Sequence, residues 1–153
     1  MDVIFLLARL GLAAVFVVAA IGKLMDLSGS AQAMGNFGVP ARFTRLTGTA
    51  LPILELIVAV FLIPVGTAFW AALLGTLLLL GFIAGISNLL RKGEAPDCHC
   101  FGAIHSEPVG KATLVRNGLF LVLAIVILAG GTTPGTSLFG WLSDASGIEV
   151  GLV

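Results

Sequence analysis

The sequence predicts an all-α polytopic membrane protein: a bundle of four transmembrane helices, with an interfacial helix between the first and second. Three observations carry that prediction. The 153-residue chain is 58% hydrophobic and only 10% charged, with a mean hydropathy of +1.12, whereas soluble domains run near 25% charged. A domain this small has a high surface-to-volume ratio and cannot hide that much apolar surface from water, so the bilayer must serve as its solvent. Four stretches reach or approach the roughly 20 apolar residues that cross a hydrocarbon core. Between them lie polar or Pro- and Gly-containing breaks.

The first span is expected from Val3 to Ile21. Asp2 stands where a signal peptide has a basic region, and the apolar run is longer than a signal core, so this helix is expected to be retained. The segment from Lys23 to Thr47 interleaves Asp26, Ser28, Ser30, Gln32 and Asn36 with Leu24, Leu27, Ala31, Met34 and Phe37. That alternation suits a helix lying in the membrane interface, and Gly38 and Pro40 end it because Pro disfavours helix in the residue before it. The second span is expected from Gly48 to Ile63 and the third from Thr67 to Leu90, folded into a hairpin by Pro64 and Gly66. Gly81 and Gly85 give the third a small-residue ridge that suits close packing between helices. The fourth span is expected from Ala112 to Ala129. Residues 1–130 thus form the membrane domain. Residues 131–153 form a tail, flexible or interfacial, with Leu138, Phe139, Trp141 and Leu142 as its apolar group.

Seven of the eight basic residues fall on one side of this topology: Lys23, Arg42, Arg45, Arg91, Lys92, Lys111 and Arg116. Basic residues near span ends mark the cytoplasmic side. The bias predicts both termini outside and the third loop, Glu94 to Gly110, at the cytoplasmic face. Net charge is zero and there is no basic tract, which argues against nucleic acid as a partner.

Chemistry concentrates in that third loop, in Pro96-Asp97-Cys98-His99-Cys100-Phe101-Gly102. Thiolate is the reactive form of Cys, and nearby positive charge favours it; Lys92, Lys111, Arg116 and a protonated His99 are candidate sources, with Asp97 opposing them. Two thiols one residue apart close only a tight ring, and strained disulfides are the more labile, exchanging ones. That is the redox reading of Cys98 and Cys100. A metal reading stands beside it, with Cys98, His99, Cys100 and His105 as soft ligands for copper or zinc. The plain reading is two unreactive thiols in a turn.

Within the spans, Arg9 and Glu55 are the costly groups, and ionisable residues in a membrane are paired or functional. At 1.5 Å per residue their depths, counted from the outer helix ends, differ by about 3 Å. An Arg9–Glu55 ion pair is therefore expected, either as a registering pair or as a polar site for a quinone head group or a proton. Arg116 and Asn117 open the fourth span beside the Cys loop, with Asn88 at the end of the third, and can hydrogen-bond the loop or cap the helix. Lys23 is expected to snorkel to the interface.

Asp97-Cys98-His99-Cys100-Phe101-Gly102, then Ser106-Glu107-Pro108-Val109-Gly110, then Arg116-Asn117, resemble the third loop and fourth helix of the MauE (methylamine utilisation) family. Arg9, Gly22-Lys23-Leu24, Gly38-Val39-Pro40 and Leu51-Pro52 followed by Glu55 resemble the wider DoxX-like superfamily. The resemblance spans about residues 1–130. It implies a four-helix protein of a bacterial or archaeal plasma membrane, associated with thiol redox work and with thioredoxin-like partners. It makes Cys98 and Cys100 the redox-active positions. His99 departs from the Gly common between those cysteines, which keeps the metal reading open. Two cysteines form one redox couple, so a relay across the membrane needs a second acceptor, a quinone or a partner protein. The alternative is a non-enzymatic assembly factor for a partner oxidoreductase. Oligomeric state is not legible in the sequence.

Overall fold

The computed structural model describes residues 2–96, 104 and 108–130. Cys98, His99, Cys100, His105 and the tail at 131–153 lie outside the described residues. Five α-helices follow in order among those described: α1 Asp2–Met25, α2 Leu27–Asn36, α3 Ala41–Leu62, α4 Val65–Lys92 and α5 Lys111–Ala129. All but α2 are long and apolar enough to cross a membrane.

The four spanning helices close a ring in which α1 packs on α3, α3 on α4, α4 on α5 and α5 back on α1. Each neighbour runs antiparallel, as short connections in an up-and-down bundle require. The interior is built from small residues, with Ala8, Ala13, Ala59, Ala71, Ala72 and Ala124 buried around Leu12, Phe16, Val58 and Leu62. Small side chains let helix backbones approach where lipid supplies no hydrophobic drive. Large apolar side chains such as Ile4, Leu46, Trp70 and Val115 point outward instead.

The helices overrun the apolar stretches that predict them. The first continues through Lys23 to Met25. The second span begins at Ala41 rather than Gly48. There the hydroxyls of Thr44, Thr47 and Thr49 return hydrogen bonds to Ala41 O, Phe43 O and Arg45 O. Hydropathy senses the hydrocarbon slab, and the helices extend beyond it. At the opposite end, Thr67 Oγ1 donates to Phe61 O at 2.8 Å and ties the Pro64 hairpin.

The expected interfacial helix is α2. Asp26 starts it by accepting from Gly29 N and Ser28 Oγ, both at 2.9 Å, as N-cap residues do. It does not simply lie on the surface: its small face, with Gly29, Ser30, Ala33 and Met34, is buried. A Cβ on Gly48 would stand 2.8 Å from Ala31 N, so α2 crosses the α3 backbone at that glycine. Gly38, at φ 99°, turns the chain back into α3 in a conformation that only Gly takes readily. Of the expected glycine ridge, Gly85 sits against Phe37, where a Cβ would come within 2.9 Å of the ring, while Gly81 has open space.

Candidate functional site

Arg9 and Lys23 are 14 residues apart, close to four turns at 3.6 residues per turn. They therefore project from nearly the same face of α1, the one turned toward α3. Both are buried, and each meets a different partner. The Arg9 guanidinium donates from Nε to Leu62 O at 3.0 Å and from a second nitrogen to Ile63 O. Those carbonyls end α3, where the helix has no partners of its own to offer and its dipole is negative. Lys23 Nζ meets Glu55 Oε1 at 2.6 Å, with side-chain exposures of 3% and 1%. The same ammonium lies 5.1 Å from the centre of the Phe82 ring, within cation–π range.

The expected Arg9–Glu55 pair is thus corrected, and so is the snorkelling Lys23. The expected pairing takes the N-terminal end of α1 and the C-terminal end of α3 as flush. Arg9, seven residues into α1, stands level with the last residue of α3, so Glu55 lies about 10 Å deeper. Side-chain direction completes the explanation. Helix side chains tilt toward the N-terminus. Arg9 leans toward the N-terminal end of α1, while Glu55, on an antiparallel helix, leans toward the opposite end of the bundle, where the cysteine loop is attached. Lys23 leans toward Glu55 from the other direction. The roughly 11 Å of axial offset between them is closed by two long side chains pointing at each other. Lys23 does not reach the interface because α2 covers it, with Ser30 Oγ donating to Lys23 O at 3.3 Å.

Around Glu55 the four spanning helices converge. A chamber of about 20 Å³ is lined by Val15, Phe16 and Ala19 from α1, Glu55 from α3, Leu79 and Phe82 from α4, and Asn117 and Phe120 from α5. Glu55 Oε2 is buried and has no hydrogen-bond partner among the described residues. Asn117, expected to hydrogen-bond the Cys loop or cap its helix, instead lines this chamber; it is buried, and its Nδ2 donates to Thr113 O at 2.9 Å. Arg116, beside it, is half-buried.

The cysteine loop springs from the Lys92 end of α4 and returns into α5. Its neck is closed by a bond from Val109 N to Pro96 O at 2.9 Å. Val109 is buried against Phe82, Ile86 and Leu89, with Phe37 and Leu114 alongside. The loop's two ends are thus anchored on the core at the end of the bundle where Arg42, Arg45, Arg91, Lys92 and Lys111 are exposed. Beside this neck lies an apolar groove of about 420 Å³ between α2, α3 and α4, with Phe37, Leu51, Phe82 and Gly85 among its walls and Asn88 its one amide side chain. No cluster of three metal-ligating side chains occurs among the described residues; the Cys98, His99, Cys100 and His105 set lies outside them.

Sequence reasoning assigned Lys23 no part in the site. The 14-residue spacing from Arg9 was the available signal, because it places both cations on one helix face.

Comparison with known proteins gives a family. The family described as "Methylamine utilisation protein MauE" matches residues 1–130, the span that covers all four membrane helices. The "Methylamine utilization protein MauE" of Paracoccus denitrificans is 36% identical over 124 residues, covering 80% of this chain and 67% of that protein. No solved structure matches the chain. The matched length and the identity to this relative show that the chain belongs to the MauE family.

Proposed function

We propose that the protein is a membrane thiol-disulfide redox protein in which Cys98 and Cys100 cycle between dithiol and disulfide. The observation that carries this reading is the closed neck at Pro96 and Val109. It ties a loop containing two cysteines one residue apart to the rim of the bundle, among exposed basic side chains that favour thiolate. In the exchange, one thiolate attacks a disulfide sulfur of a thioredoxin-like partner. A mixed disulfide forms and the partner's other sulfur leaves as thiolate. The second cysteine then attacks the mixed disulfide, which leaves Cys98–Cys100 oxidised and the partner carrying two more electrons. Run in reverse, the Cys98–Cys100 disulfide oxidises a partner dithiol. A quinone then takes two electrons and two protons from the resulting Cys98–Cys100 dithiol, restoring the disulfide and leaving as quinol. The apolar groove beside the neck, with Asn88 to meet a carbonyl, supports a quinone as that acceptor. On this reading the loop lies at the cytoplasmic face of the plasma membrane, because the exposed basic residues gather there.

Serine substitution tests the reading. One of Cys98→Ser and Cys100→Ser removes the resolving thiol and is expected to accumulate a disulfide-linked adduct with a partner, visible on non-reducing gels and lost on reduction. Absence of adducts from both variants, with full function retained by a cysteine-free chain, would point instead to a non-enzymatic assembly role.

A further inference from the structure

The geometry points to an internal water-binding site at the centre of the bundle, in which one water bridges Glu55 Oε2 on α3 and Asn117 on α5. Four observations converge on it. The chamber between the spanning helices measures about 20 Å³, and a cavity needs roughly 10–15 Å³ of such space to hold a water. It has room for one. Glu55 Oε2 is buried without a partner among the described residues, and a buried oxygen left without a hydrogen bond is costly, most of all in a bilayer. Asn117 lines the same chamber. An amide offers two hydrogens and an oxygen, and the bond from Nδ2 to Thr113 O uses a single hydrogen. The other six lining residues are apolar, so the carboxylate and the amide are the groups able to orient a guest.

Apolar walls alone leave a cavity dry; these walls also hold a buried carboxylate oxygen with no partner among the described residues. Water is the ligand whose size and hydrogen-bonding capacity fit: it donates one hydrogen to Oε2 and has its other hydrogen and its lone pairs for Asn117. The Lys23–Glu55 ion pair, which joins α1 to α3, is thereby extended to α5. The water matches the carboxylate oxygen that Lys23 leaves unbound. None of this depends on the chemistry of the cysteines.

The direct test is a high-resolution structure of the full chain in lipid nanodiscs. Density for one water within hydrogen-bond distance of both Glu55 Oε2 and Asn117 is expected. A dry chamber, or an Oε2 bonded straight to a protein group, would overturn the site. A second test reads the unfolding equilibrium of Glu55→Gln, Asn117→Val and the double variant. Partners sharing a water are coupled, so the double variant's unfolding constant should fall short of the product of the single effects by at least about threefold. Independent effects would count against the bridge.

Discussion

The two ends of α1 treat the same problem differently. At one end Arg9, a planar donor with several fixed hydrogens, is satisfied by backbone carbonyls that α3 leaves open at its terminus. At the other, Lys23 is satisfied by a dedicated carboxylate, Glu55, under the cover of α2. Arg9 thus uses acceptors present at every helix end, whatever the sequence. Lys23 is matched by a particular side chain, and the Glu55 oxygen that meets it is matched by Lys23. A cation held by main chain is an anchor of register. A cation held by a buried acid is one member of a coupled unit, and losing the cation strands the acid.

The largest expected effect follows from that contrast. Lys23→Met leaves Glu55 buried without its cation, and breaking a buried pair in this way costs about 3–5 kcal/mol. Joint replacement, Lys23→Met with Glu55→Leu, should recover most of the loss, because an apolar pair of similar volume is often neutral or better. Reversible unfolding in mixed micelles measures both; a double variant no better than Lys23→Met would break the coupled-unit account. Arg9→Leu should cost less, about 1.5–3 kcal/mol for hydrogen bonds from a charged group, and Glu55→Leu should not rescue it. A rescue there would restore the discarded Arg9–Glu55 pairing. The smallest effect is Asp26→Ala, which removes the N-cap of the helix covering Lys23 and should cost about 1 kcal/mol. It should also raise solvent exchange at the backbone of α2 more than at α3.

The four spanning helices were legible because a bilayer demands long apolar runs, and their order needed only the Pro64 hairpin and the polar breaks. Helix ends were less legible. The turns holding Arg42, Arg45 and Thr47 read as interface yet continue α3, because their helix is set by backbone bonding and hydropathy does not report it. The pairing of charges was misread for a related reason. Axial depth in a bundle depends on how far one helix slides past another, and that slide is fixed by packing between residues distant in sequence, such as Gly48 on Ala31. From its position after Arg116, Asn117 read as a neighbour of the cysteine loop. Its convergence with Glu55 was not legible, since the two lie 62 residues apart and meet only when the ring closes.

The chain between Pro96 and Val109 carries both cysteines, and the redox claim is tested most directly there. Intact cells would be treated with a membrane-impermeant thiol reagent, then opened and treated again, with and without prior reduction; Cys98 and Cys100 are the chain's two cysteines, so all labelling of it reports on them. The account predicts no labelling from outside, partial labelling after opening, and full labelling of both cysteines once reductant is added, the difference being the disulfide fraction. Labelling that is complete without reductant, under every growth condition and in the absence of any partner adduct, would contradict a cycling pair.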